Sequence, residues 1–510
     1  MGHCVRRLGI VACLIVPSRV WAQLVPVGVP SGVVRLELDG SLDAFERRFR
    51  AGHLESYAAD LSSGALGSDR IPILADAEAR IGRVIGNTGY RINLGALGAE
   101  ALADVGTGFL GLSLGLTNKI TIFGRIPLVR TRVQPTLSLN PATADGGLNP
   151  GQAAQSPFFG EFDAALATLS SKIAAGDYDA NPTQKALAVA TLSDATLLRA
   201  DLFGLLADPA TASPFVPTLI STAGAAIDGR IATLQNTLAT SLSVPGFTTG
   251  PSLPASPVTQ AELFQELTGP LALRLNQAEV TFRGDAEAGA ALTLIDRWDI
   301  GTHRGGFRTA ISGLVRFPTG RRDRTDHPLD IGTGDGQTDI QVDLVTDVGA
   351  GAIGARFTGS YMRQLPSTIL VRVTSPSQPF VGPDRLAFVR RDLGDILAIG
   401  VSPFYRIART LALQAGVVHW TRGTDEVSYA SPADALPGVD ASILAEDSKA
   451  NATMLSAGIT YANPGGLRPG GTGLPVDASW SYERVLRAGG GRVPDTHRVV
   501  GRFRVYFGIW

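Results

Sequence analysis

The chain of 510 residues has two cysteines, Cys4 and Cys13, and both fall in its first 22 residues. That stretch reads as a secretory signal. "MGHCVRR" is basic, "LGIVACLIV" is apolar, and "PSRVWA" sets small side chains at Val20 and Ala22, so cleavage is expected after Ala22. "IVAC" also matches a lipoprotein box, but that box would leave almost no apolar run before it. An exported chain starting at Gln23 holds no thiol, which excludes disulfides, cysteine catalysis and thiolate metal sites. Long hydrophobic runs are also missing. Beyond the signal no window reaches the roughly 18 apolar residues of a membrane helix. Charged residues are only 18%, below the usual quarter. The formal net charge is −1, becoming −4 without Arg6, Arg7 and Arg19. No basic footprint points to nucleic acid.

Glycine is plentiful, at 60 residues, and so is alternation of period two. "DIQVDLVTD" sets Ile340, Val342 and Leu344 against Asp339, Gln341 and Asp343. "PVDASWSYE" sets Val476, Ala478, Trp480 and Tyr482 against Asp477, Ser479, Ser481 and Glu483. "RTAISGLVRF" (308–317), "FRGDAEAGAALTL" (282–294) and "RFTGSYMRQL" (356–365) repeat the pattern. Alternation alone also fits a soluble sandwich with one wet face. Strands of about ten residues, apolar faces rich in Gly and Ala, and connections alternating between short and long favour a transmembrane antiparallel β-barrel. Short turns fall at 115–119, 296–306, 347–354 and 406–410. Long polar loops fall at 318–337, 365–393 and 422–449.

Candidate strands lie near 499–509, 475–484, 452–461, 411–420, 395–405, 353–364, 338–347, 306–317, 281–294, 119–129 and 107–116. One more, either 33–42 or 89–96, completes an expected 12, with 14 the alternative. In "RVVGRFRVYFGIW" the last strand must close on the first, so that no unpaired edge meets lipid. The terminal aromatics Phe507 and Trp510 resemble the C-terminal signal read by the barrel assembly machinery, although Trp510 is one step off the apolar parity.

Residues 139–276 break the pattern. "FDAALATLSSKI", "NPTQKALAVATLSDATLL" and "AAIDGRIATLQNTLATSL" have helical spacing, and "PGFTTGPSLPASPVTQ" is a Pro-rich linker. A helical insertion is expected on the long-loop side, as an external cap or a plug in the lumen. It divides the chain into a signal (1–22), N-terminal strands (23–138), the insertion (139–276) and C-terminal strands (277–510). Residues 69–86 read as a further short amphipathic helix.

"LVRFPTGRRDRTDHPLDIGTGDGQTDIQVDL" (314–344) has a strand ending in Pro-Thr-Gly, a polar loop, then Gly-x-Gly and Asp before a returning strand. "LGLTNKITIFGRIPLVRTRV" (114–133) has a Gly-Leu-Thr turn and a strand ending in Ile-Pro. Both resemble the outer-membrane barrels associated with phenol meta-pathway degradation, relatives of the long-chain fatty-acid and aromatic-hydrocarbon transporters. The resemblance covers the barrel strands. It implies passage of small, often hydrophobic molecules and supplies no catalytic residues.

"GLSLG" (111–115) matches the GxSxG elbow, but Ser113 sits in an alternating strand with no helix after it, so small residues on a lumen face are the better reading. Asp330, Asp335 and Asp339 lie in a Gly-rich loop without EF-hand spacing or a closing Glu, which favours a solvated loop over a calcium site. The remaining histidines, His53, His303, His327, His419 and His497, include no i, i+4 pair. No catalytic residue, metal or cofactor is therefore assigned.

The inward parity is the informative set. It carries acids at Asp285, Glu287, Asp339, Asp343, Asp477 and Glu483. It carries bases at Arg308, Arg316, Arg356, Arg502 and Arg504. These are candidate lumen-lining residues, either an ion-pair lattice that stiffens the wall or a wet path for solute. The expected function is passive passage of small solutes, hydrophobic ones included, across a bacterial outer membrane. The other reading is a barrel-anchored surface interaction protein with the insertion as its binding module.

Overall fold

The computed structural model describes residues 27–299, 305–463 and 475–509. The signal segment with its cleavage site, His303 and Trp510 lie outside the described residues.

Twelve strands form the wall. The first six are β1 (Val33–Phe45), β2 (Ala96–Gly115), β3 (Ile120–Asn140), β4 (Ala286–Asp299), β5 (Gly305–Phe317) and β6 (Asp339–Ala350). The others are β7 (Ile353–Gln364), β8 (Ile396–Arg406), β9 (Leu411–Arg422), β10 (Ala450–Ala462), β11 (Val476–Gly490) and β12 (His497–Gly508). Each pairs antiparallel with its sequence neighbour, and β12 returns to β1 with Gly508 opposite Val33 and His497 opposite Ala44. The ring is closed, so its ladder has no free edge. The stretch 33–42 supplies the twelfth strand. The stretch 89–96 runs as extended coil into β2, held by Leu94 N–H donating to the Leu66 carbonyl at 2.8 Å.

Alternation becomes inside and outside. Leu36, Leu38, Leu110, Leu112, Ile340, Val342, Leu344, Leu397, Ile399, Trp480, Phe503 and Phe507 are all exposed on the outer face. Such a belt of large apolar side chains is costly in water and favourable in hydrocarbon, which makes the wall a transmembrane one. Among the described residues, the short turns between β2 and β3, β6 and β7, and β8 and β9 lie at one end of the ring, and the connections after β1, β3, β5, β7 and β9 lie at the other, together with the six-residue connection between β11 and β12. The ends of β1 and β12, at Val33 and Gly508, lie at the turn end.

β2 and β3 have 20 and 21 residues, about twice what a membrane crossing needs. Outward ion pairs mark where lipid must end. Arg132 meets Asp104 at 2.5 Å and Arg130 meets Glu279 at 2.8 Å. Beyond them the hairpin rises some 30 Å at ~3.3 Å per residue. There its inner face changes from charged to apolar, with Ala99, Ala101, Ala103 and Val105 all buried. The stretch expected as one strand over 281–294 is broken. Ala278–Arg283 pairs with β3 at Leu128–Val133, and β4 starts only at Ala286. Gly284 makes the break, because a Cβ there would sit 2.8 Å from the Pro127 ring and 3.0 Å from the Thr333 carbonyl oxygen.

The helices are α1 (Ala75–Ile85), α2 (Gln152–Ala175), α3 (Pro182–Leu206), α4 (Thr222–Asn236) and α5 (Gln260–Thr268). Their starts follow the capping rules. Asn181 accepts from Gln184 N–H, with Pro182 in the first turn. Ser221 accepts from Gly224 N–H. Thr259 and Glu262 form a reciprocal capping box. Gly176 ends α2 at φ 81°, the left-handed conformation that favours glycine. α2, α3 and α4 bury Phe158, Phe162, Leu202 and Ile227 in one core, where Phe162 stacks on Phe247 at 4.7 Å. That core is continuous with α1 and with Ala99–Val105 of β2. The insertion therefore leans on the raised hairpin and stands at the long-loop end of the ring.

Candidate functional site

Inside the ring, charges of both signs meet across neighbouring strands. Arg316 lies 2.8 Å from Asp339 and 3.4 Å from Glu287. Glu287 also takes Arg125 at 2.5 Å. Asp347 bridges Arg308 and Arg356, the latter at 2.6 Å. Arg502 meets Asp39 at 2.8 Å. Arg504 lies between Glu37 at 3.6 Å and Asp477 at 3.8 Å. Asp343 accepts from Gln341 at 2.6 Å and from Ser312 at 3.3 Å. Glu483 is fully buried, 3.9 Å from Arg498. Asp285 stands at the rim, accepting from Gly320 N–H at 2.8 Å.

All eleven charged residues picked out by inward parity are thus buried in the interior. The same parity, read further, would have found more. Asp347 continues the run of Asp339 and Asp343 by four residues. Arg498 continues Arg502 and Arg504. Arg35, Glu37, Asp39 and Asp43 lie on β1, where a second candidate strand competed for the same place. Ser113 of "GLSLG" faces inward at 3.2 Å from Arg35 and 3.2 Å from Glu37, so it belongs to the lattice and to no elbow. The loop aspartates are engaged apart from one another: Asp330 accepts from Arg324 N–H, and Asp339 pairs with Arg316.

The lattice leaves little room. The cavity between Arg35, Arg125, Asp343, Arg356, Arg502 and Arg504 is about 80 Å³, space for two or three waters at ~30 Å³ each. Its lining comes from the strands and from Val27, a residue that precedes the wall. The stretch before β1 turns back into the turn-side mouth. Val29 is buried, donating from N–H to Thr121 Oγ1 at 2.7 Å and accepting from the same hydroxyl at 3.3 Å. Arg35 donates to the Val27 carbonyl at 3.3 Å. Elsewhere on the inner wall, the guanidinium groups of Arg308 and Arg406 lie 5.1 and 5.6 Å from the Trp298 ring.

At the long-loop end the space widens to a chamber of about 710 Å³, within the usual range for small-molecule sites. Parts from all around the ring enclose it. Arg48 and Arg492 come from small strands above β1 and β11. Segment 321–329 comes from the β5–β6 loop, and Ile369–Arg372 from the β7–β8 loop. Tyr57, Leu61 and Leu273 come from segments packed against the helical core. Apolar and cationic side chains share its wall.

No protein-family model and no curated protein sequence matches the chain. Among solved structures, an outer membrane channel from Pseudomonas putida F1 is similar at a TM-score of 0.43 and 10% identity, covering 96% of this chain and 99% of that one. A TodX mutant, a monoaromatic hydrocarbon channel, gives 0.28 and 11%, covering 94% and 91%. A Pseudomonas aeruginosa FadL homologue gives 0.26 and 9%, covering 94% and 90%. Likeness this distant says nothing of solute or mechanism; the barrel itself rests on the strand pairing described above.

Proposed function

We propose that the protein is a bacterial outer-membrane channel for passive passage of small solutes, with hydrophobic bodies admitted at its long-loop end. The carrying observation is a closed ring, apolar outside and charged inside, narrowed by the ion-pair lattice of its own wall and obstructed further by two parts that are not wall strands. One is the segment around Val27–Val29 at the turn side. The other is the helical cap with its chamber. A solute would enter the chamber from outside and meet the ion-pair lattice, and it would leave once the turn-side segment is displaced. The lumen-lining residues then set what passes by charge and by the waters they hold. Outer-membrane lipid and the assembly machinery are the partners this reading requires.

The test is single-channel conductance of refolded protein in planar bilayers. Full-length chain is compared with a deletion of 150–275 and with a Gly115→Ala variant that crowds the turn-side segment. Small steps that enlarge in either variant support gated passage. Silence in all three, with heat-modifiable migration showing folded barrels, removes the channel and leaves a membrane anchor.

A further inference from the structure

The wall of the long-loop chamber carries an excess of one charge. It presents seven arginines, including Arg48, Arg322, Arg372 and Arg391, against two aspartates, Asp60 and Asp323. Arg48 and Arg492 share Asp60 at 2.7 and 2.9 Å, and Arg324 leans on Asp330 at 3.4 Å. Arg321, Arg322, Arg372 and Arg391 form no ion pair among the described residues. Asp323, exposed at the chamber wall, offsets part of the excess.

Arg372 is the informative one. It is only 9% exposed, yet its guanidinium faces carbonyl oxygens alone, those of Leu271 at 2.7 Å, Ala272 at 2.9 Å and Val381. Its Nε has no partner. Burial lowers its pKa, outweighing the pull of Asp326 and Asp384, neither of which forms an ion pair with it. A second polar atom without a partner sits on the same wall. His327 is buried and meets the Asn276 carbonyl through Nε2 at 2.8 Å, while its Nδ1 has none. Both side chains bond into the stretch 271–276 and line the same chamber. Arg391 Nε is likewise without a partner. Between these polar groups the wall is apolar, with Leu273, Leu329, Ile369 and Val371.

A buried cation is costly unless an anion meets it. A guanidinium also recognises planar oxyanions bidentately. We propose that the chamber binds an organic anion, an acidic head on a compact apolar body, in preference to a neutral hydrocarbon. The head goes to the arginines of this wall and the body to its aliphatic side chains. The inference rests on the channel reading for its purpose, since it names the solute class admitted, though binding is measurable without transport.

The test is calorimetric titration of full-length protein in non-ionic detergent with naphthalene-2-sulfonate, which stays ionised throughout, and with its neutral counterpart naphthalene-2-methanol. The sulfonate is expected to bind at least ~10-fold tighter, a difference of about one charge-assisted contact. Arg322→Gln together with Arg391→Gln should erase most of that preference, with binding of the alcohol unchanged. Arg372→Gln should do the same, but it also frees the carbonyls it holds, so the double variant decides if that one fails to fold. Arg484→Gln, on the outer face of β11, should change nothing. Equal binding of the two probes, or a preference that survives the double variant, overturns the proposal. Sulfonate preference with silent bilayers keeps the site and removes transport; conductance without the preference does the reverse.

Discussion

At the scale of single residues, the interior is held by charges that cannot reach water easily. Arg316 serves two carboxylates at once; in Arg316→Ala, Glu287 keeps Arg125 but Asp339 loses its cation. Breaking a buried pair in this way costs about 3–5 kcal/mol. We expect a correspondingly lower urea midpoint for the refolded barrel in vesicles, with the outer belt and strand content unchanged by circular dichroism. Glu161 on α2 makes the opposite kind of bond, at the surface. It accepts from the N–H groups of Thr248 and Thr249 at 2.8 and 2.7 Å and from the Thr249 hydroxyl. These hold its carboxyl down to about 2. Its folded pKa is below the unfolded one, so its tie to the Pro-rich linker is complete above the ordinary Glu range of ~4.3. The tie is lost as pH falls through about 2. Limited proteolysis should find the linker near Thr248 increasingly open between pH 4 and pH 2, and open at all pH values in Glu161→Ala.

Elements show which signals a sequence carries and which it does not. Period two was enough to find the strands, because one face of each meets lipid and the other meets charge. Boundaries were harder. β2 and β3 keep alternating after they leave the membrane, and only the outward pairs Arg132–Asp104 and Arg130–Glu279 mark the change. The break at Gly284 depends on the crowding of Pro127 and Thr333 from elsewhere in the chain. Helix starts were legible where local chemistry decides, as at Asn181–Pro182, and Thr259→Ala should cost α5 about 1 kcal/mol, read from thermal unfolding of the cap. The segment at Val27–Ser31 gave no sign of its place, since "VGVPS" has no pattern that marks insertion. Its place depends on a distant glycine. A Cβ on Gly115 would lie 1.9 Å from the Pro30 carbonyl oxygen and 2.5 Å from that of Val29, both backbone atoms. Gly115→Ala should therefore push the segment out of the turn-side mouth, giving larger conductance steps and faster hydrogen exchange at Val29.

For the whole molecule, the interior charges were readable and the chamber was not. Parity names what faces inward on a strand. It says nothing of Arg48, His327, Arg372 and Arg492, which come together from four loops and small sheets. The helical insertion packs on the raised hairpin and on the β5–β6 and β7–β8 loops, while the ring closes through its own ladder. Deleting 150–275 should leave a folded, heat-modifiable barrel, while Leu202→Ala in the helical core should lower cap stability by about 2–5 kcal/mol without moving the barrel transition.

The closure of β12 on β1 bears on the order of events during synthesis. Asp39 and Arg502 touch across that seam although 463 positions separate them along the chain. No local hairpin can supply this pairing. Until the final strand emerges, β1 presents an open row of amide and carbonyl groups to whatever strand comes near. The slow step in maturation is then a single late, long-range match, and a chaperone or insertase would have to guard the β1 edge throughout, along with the edge of the strand last added.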